Sequence, residues 1–378
     1  MDKVRNFFKN KAVQSIITSL LCIIVGLFIG FIVLLCINPA GAWQGITDLI
    51  KNFFTFSQPA SQVKHFGNTL VKTVPLLMCS LSILFCYKVG LFNIGAAGQY
   101  VIGAGLSLYA ALAWSLPWYA CIILAAVGAA VWGMLVGFLK AYCNVNEVIS
   151  GIMLNWISLY LINMLLTNVK EPTSPYTKSL GKASTIPSLG LETLFNNNKY
   201  VTIAIPMALV FVIIIWLLLD KTKFGYELRA TGLNKHAAKY SGMNEKRNII
   251  VSLAIGGALA GIGAAMLYLS GIEQWSCSQS SVPGMGFNGI AAAFLGGLNP
   301  IGSVFSSYFI QHITSGGAYV DKTMYSSQIS DLISAIIIYL CGFVFFVKYA
   351  MNKSIAKREA AAAKKAAEAE KKEEGEKE

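Results

Sequence analysis

The stretch from Ser15 to Ile37 contains no charged residue. Coiled as a helix at about 1.5 Å per residue, it is long enough to cross the roughly 30 Å hydrocarbon core of a bilayer. It is too long for the apolar segment of a signal peptide and has no small-residue cleavage site, so it is expected to be a retained span. Further apolar runs lie near 69–87, 91–113, 117–139, 146–167, 200–219, 248–270, 285–298, 300–317 and 331–349. Charged residues make up 13% of the chain and hydrophobic residues 55%, where soluble domains carry roughly a quarter charged residues. The fold class implied is an all-α integral membrane protein. About ten transmembrane segments form two pseudo-repeated halves, some segments short or broken, with residues 1–351 as the membrane domain. The eighth and ninth runs are interrupted by Gly296, Gly297, Asn299 and Pro300, and one kinked crossing is the alternative to two there.

Charge sets the orientation. With ten crossings, the N-terminus, residue 88, residue 140, the 220–247 connection and the residues after 347 share one side. That side carries 17 Lys and Arg through Arg358, and the other carries 8. The richer side, with both termini, is therefore expected to be cytoplasmic. The net charge of +12 is mostly this bias. The cations are spread over several connections without interleaved aromatics, so no nucleic-acid partner is expected. Residues 352–378 are rich in Ala, Lys and Glu with nearly cancelling charge, and read as a solvated, partly helical cytoplasmic tail. The 168–199 connection, with Pro172, Pro175 and Pro187, is long and faces outside, where a soluble partner can touch it.

The absences narrow the function. Cys22, Cys36, Cys79, Cys86, Cys121 and Cys341 lie in or at the ends of apolar runs, and no cysteine pair has CxxC spacing. His65, His236 and His312 are scattered and form no metal or catalytic motif. There is no GxxxxGK[ST] phosphate loop, no intramembrane row of arginines and no acidic chain through the spans. No catalytic residue, metal or bound cofactor is expected, and a membrane-embedded enzyme would need a clustered site that this chain lacks. A transporter of this kind is passive or borrows energy.

Two segments repeat a pattern. Phe92, Asn93, Ala96 and Ala97 in GLFNIGAAGQ match Phe287, Asn288, Ala291 and Ala292 in GFNGIAAAFLGG. Corresponding interrupted segments in two halves point to a transport path, since irregular backbone at membrane depth survives only when buried in protein or lining a cavity. Gly and Ala also serve helix packing alone. The amides shift the balance, because a buried amide needs partners. Asn93, Gln99, Asn155 and Asn288 are thus candidates for a substrate pathway, or for a shared polar network. Glu147, beside Asn144 and Asn146, reads as an interfacial residue.

Four blocks in order, GLFNIGxxGQ, NEVISGIMLNWISLYL, FGYELRATGLNKHAAKYSGMN and GFNGIAAAFLGGLNPIG, resemble the permease subunit of bacterial ABC importers for nucleosides. That family lies in the wider group serving ribose, simple sugars and branched-chain amino acids. The likeness covers roughly residues 65–320. It implies a multi-pass permease of the cell membrane that works with an ABC ATPase subunit, a second permease subunit of a different chain and an extracellular substrate-binding protein, with ATP and Mg held by the ATPase. It also implies a coupling helix inside the 220–247 loop, formed by Gly232, Asn234, Ala237, Ala238, Tyr240, Ser241 and Gly242. A helix flanked by Gly232 and Gly242 can pivot as a rigid body. Ala237 and Ala238 allow close approach, and Tyr240 supplies an aromatic anchor. The chain departs from the family pattern at Ala97, where many members carry an acid. The hydrogen-bonding amides suit neutral polar ligands such as nucleosides. A simple-sugar permease of the same architecture is the near alternative. An ion-coupled secondary transporter is the distant one, and it leaves the Gly-flanked loop unexplained.

Overall fold

The structure, a computed structural model, describes residues 11–321 and 323–326, with scattered residues between 332 and 353. The expected span 331–349 falls largely outside the described residues, and the tail beyond 353 lies wholly outside them. Among the described residues the chain runs α1 (Lys11–Ile37), α2 (Ala42–Lys51), α3 (Pro59–Tyr87), α4 (Ala96–Leu112), α5 (Trp118–Cys143), α6 (Glu147–Leu166), α7 (Ala204–Lys221), α8 (Lys223–Leu233), α9 (Lys235–Tyr240), α10 (Glu245–Tyr268), α11 (Met285–Leu295) and α12 (Pro300–Gly316), with single-turn elements between them and no strand. Helices α3, α5, α6, α7 and α10 are long and apolar enough to cross a membrane. This is the all-α, multi-pass architecture that the apolar runs lead one to expect.

Two departures have local causes. Helix α3 begins ten residues before the expected span, because Pro59 occupies its first turn, where a missing N–H costs nothing. Its opening turns are polar and so escape a hydropathy reading. Helix α2 was not expected. It is only ten residues long, with Ala42, Gly45, Ile46 and Leu49 on its buried side and Trp43 and Lys51 exposed.

Helices α3 and α10 form the centre, buried along most of their length, with α5 and α4 packed on α10. Between membrane helices the apolar faces gain little from leaving lipid, so close backbone approach supplies the attraction. Gly261 of α10 shows this best. Its Cα lies against Gly103 of α4, and a side chain there would meet the Ala125 carbonyl oxygen of α5 at 2.7 Å.

The connections sort to two ends. At one end, residues 89–91, 140–147 and 231–249 contribute to the lining of one cavity of about 560 Å³; we call this the basic end. At the other, Thr177 N–H donates to the Trp275 carbonyl (2.9 Å), Ile186 N–H to Leu269 (3.0 Å), and the Asn198 amide to the Lys64 carbonyl (2.8 Å). These bonds tie residues 168–200, the 269–284 loop and the start of α3 together.

Helices α11 and α12 are two antiparallel elements rather than one kinked crossing. Phe294 reaches the ring of Tyr87 near the basic end, at 5.4 Å between centroids. His312 Nε2 lies 2.8 Å from the Ile50 carbonyl at the other end. The turn between them uses Gly297 (φ +67°), and Asn299 caps α12 by accepting from Ile301 N–H (2.9 Å). At 11 residues, or about 16 Å, α11 spans only half a hydrocarbon core.

Candidate functional site

After α3 ends, the chain re-enters the bundle as an irregular segment, Leu91–Gly95, before α4 begins. Backbone without helical partners at this depth must find other ones. Asn155, on α6, supplies them. Its Oδ1 accepts from Gly98 N–H (2.7 Å), and its Nδ2 donates to the Ile94 carbonyl (3.1 Å). Asn93 Nδ2 donates to Gln99 Oε1 (2.9 Å) and to Ser82 Oγ (3.1 Å), and Gln99 Nε2 donates back to Asn93 Oδ1 (3.2 Å). All three amides are buried. The structure thus links Asn93 and Gln99 side chain to side chain and sets Asn155 on the backbone of the same segment, at Ile94 and Gly98.

Asn288 stands apart. It lies in the first turn of α11, half-buried, and its side chain makes no hydrogen bond among the described residues. Helix α11 still touches the first segment, because Gly286 sits on Ala97, whose backbone nitrogen would lie 2.6 Å from an added Cβ. Ala97 is fully buried. A carboxylate at this position would have neither room nor water. Glu147 pairs with Lys140 (2.7 Å) at the basic end, across the α5–α6 turn where Asn144 takes a left-handed conformation (φ 52°).

The segment expected to hold a coupling helix folds as a compact helical hook. Asn234 caps α9 by accepting from His236 N–H (3.0 Å) and Ala237 N–H (3.1 Å). Ser241 closes the helix, donating its N–H to Ala237 (3.0 Å). Ala238 faces inward at 3% exposure, whereas Ala237 points out, so the two alanines do not share one packing face. Tyr240 is 94% exposed and Leu233 is 89% exposed. The two glycines differ. Gly242 (φ +81°) has open space around it. Gly232 abuts the Lys88 carbonyl oxygen, and an added Cβ would lie 3.0 Å from Gly90 nitrogen. Gly232 is therefore a clamp rather than a hinge, and the expected pivot has one free end. Thr231 Oγ1 accepts from Asn248 Nδ2 (2.9 Å), which fastens α8 to the start of α10. Burial at this corner holds the Lys88 ammonium pKa below the usual lysine range, partly offset by Asp220.

Residues 66–342 match the family described as branched-chain amino acid transport system / permease component. The chain is 30% identical to the guanosine ABC transporter permease protein NupP of Bacillus subtilis, over 91% of this chain and 97% of that protein. It is 31% identical to the nucleoside ABC transporter permease protein NupB of Lactococcus lactis, over 92% and 96%. It is 30% identical to the nucleoside ABC transporter permease protein NupC of the same organism, over 66% and 80%. The chain belongs to this permease family. No solved structure matches it.

In this permease, several positioning residues carry no readable motif. Trp275, fully buried, donates its indole N–H to Asn163 Oδ1 (2.9 Å), and Asn163 Nδ2 donates to the Gln279 carbonyl (2.8 Å). This pins the 270–284 loop over the end of α6. A lone tryptophan between polar residues was the available signal. The 88–90 corner that receives Gly232 had only Gly90 to mark it.

Proposed function

We propose that this permease forms, with a second and different permease chain, the transmembrane path of an ABC importer that moves nucleosides into the cell. The energy comes from a separate ATPase subunit that holds ATP and Mg, and the chain itself performs no catalysis. The basic end is the cytoplasmic one. The outer connections, 168–200 and 270–284, receive a soluble substrate-binding protein. The names of NupP, NupB and NupC, each about 30% identical to this chain, support the nucleoside over a sugar as cargo. That two differently named nucleoside permeases of one organism both resemble it supports a heteromeric pair.

One observation carries the coupling assignment. α9 is a capped helix that leaves Tyr240 almost fully exposed, as is Leu233 at the end of α8, and the α8 end that leads into it is clamped at Gly232 to the corner from which the broken segment enters the bundle. A push on α9 thereby reaches residues 91–98 through a few backbone contacts. Asn93, Gln99 and Asn155 keep that stretch in shape beside the path, and Asn288, with its amide unpaired, is the member left to meet cargo.

The test is ATP-dependent uptake of labelled nucleosides and ribose by vesicles holding the assembled transporter. Tyr240→Ala should leave the protein inserted, since exposed side chains change stability by only about 0.5 kcal/mol. A buried interface tyrosine is worth about 2 kcal/mol or more on docking, so ATP-driven uptake should fall at least about tenfold. Normal uptake by that variant would remove the coupling assignment. Uptake of ribose rather than nucleosides would change the cargo and keep the architecture.

A further inference from the structure

Helices α5, α6 and α7 each leave one long face of the protomer uncovered. On α5 that face shows Ile123, Val127 and Val131 at mid-helix, and on α7 it shows Leu209, Ile213 and Leu217. Such hydrocarbon suits lipid tails. The α6 face carries hydrocarbon too, in Ile149, Ile152, Ile157 and Leu161, but through it runs a stripe at helical spacing formed by Met153, Trp156, Tyr160 and Met164, exposed by 62%, 44%, 61% and 71%. Trp156 and Tyr160 are the tenth and fourteenth residues of a 20-residue helix, and so sit at mid-depth. Their rings lie nearly parallel, at 26° and 6.3 Å between centroids.

Exposed aromatics with a polar tip normally sit at the membrane boundary, where the tip meets water. The other exposed tyrosines of α3–α7 obey this. Tyr87 ends α3, and Tyr119 and Tyr142 lie one residue inside the ends of α5. The Trp156 indole N–H and the Tyr160 hydroxyl have no partner among the described residues, and hydrocarbon offers none. Stacked aromatic faces grip flat bases with little regard to base identity. Flanking methionines adapt to differently shaped ligands. The buried side of the same helical turn carries Asn155, bonded to Gly98 and Ile94, so the pair is mounted on a braced support beside the broken segment.

We propose that the Trp156–Tyr160 pair is the contact for the base of the permeant nucleoside as it passes between α6 and the second permease. This rests on the nucleoside-importer reading above. The aromatic faces hold the ring, and the indole N–H and phenol O–H meet its polar edge.

The experiment uses the complete transporter in vesicles, with its binding protein, and guanosine as the probe. Wild-type uptake checks the importer reading itself. Against it, Trp156→Leu and Tyr160→Leu together should cut ATP-driven guanosine uptake by about tenfold, the scale of one lost stacking contact, while the second permease still co-purifies. Trp156→Phe with Tyr160→Phe keeps the aromatic faces and removes the polar tips, so uptake should lie between the leucine pair and wild type, which a role in lipid contact alone would not produce; uptake no better than that of the leucine pair would overturn the stacking contact. Unchanged uptake in the leucine pair would overturn the base contact and leave the importer reading intact. Loss of the second permease from the leucine complex would overturn it as well, because the stripe would then be a subunit contact. A wild-type complex that moves no guanosine would end both.

Discussion

The Phe-Asn-x-x-Ala-Ala segment occurs twice, and the two copies fold differently. In the first, Asn93 lies in an irregular lead-in and α4 starts three residues later. In the second, Asn288 lies inside the opening turn of α11. The first copy is braced by two helices, through Ser82 of α3 and Asn155 of α6. The second has no such brace on its asparagine side chain. Equal sequence therefore does not yield equal backbone. The polar partner contributed from elsewhere, Asn155, is what makes an unwound entry affordable on one side. The consequence is an asymmetric pair, one copy held by its partners and joined through residues 88–90 to the α8–α9 hook, the other with a free amide.

Substitutions at three places would break or sharpen that contrast. The largest effect is expected from Asn155→Leu. It leaves the Gly98 N–H and the Ile94 carbonyl buried without partners, at about 1–3 kcal/mol each. The thermal midpoint of the detergent-solubilised complex should drop clearly. An unchanged midpoint would mean that the brace carries no stability. Next comes the Asn93–Gln99 pair. Each single leucine replacement should cost about 1–3 kcal/mol by orphaning its partner, and the double replacement should cost less than the sum by about 1 kcal/mol. Strict additivity in denaturant titrations would show that the two amides do not act as a unit. The smallest effect is expected from Asn288→Leu, within about 0.5 kcal/mol of wild type. A loss above about 2 kcal/mol would show that the second copy is braced like the first, and the contrast would collapse.

The spans were legible because their apolar runs are long, and a helix in the 220–247 loop because that block resembles the permease family, a likeness its Gly and Ala pattern supports. The paired role of Asn93 and Gln99 was half legible, since two amides near a broken helix call for partners. Asn155 was among the candidates too, but that it braces the backbone of Ile94 and Gly98 was not legible, because these partners lie about sixty residues away in the chain and nothing local links them. The clamp at Gly232 was misread as a hinge for the same reason. A glycine's need for space and its freedom to bend look alike in one dimension, and only the approach of Lys88 distinguishes them. Helix α2 stayed hidden because ten amphipathic residues with one lysine and one aspartate resemble a polar connection.

The caps on α9 carry a thermodynamic consequence. A six-residue helix does not persist in water by itself, yet here the Asn234 cap and buried Ala238 keep it formed before any partner arrives. Association with an ATPase would then bury Tyr240 and Leu233 without first ordering a loop. Calorimetry of that association should register a heat-capacity change set by the contact area alone, free of the larger contribution that accompanies folding on binding.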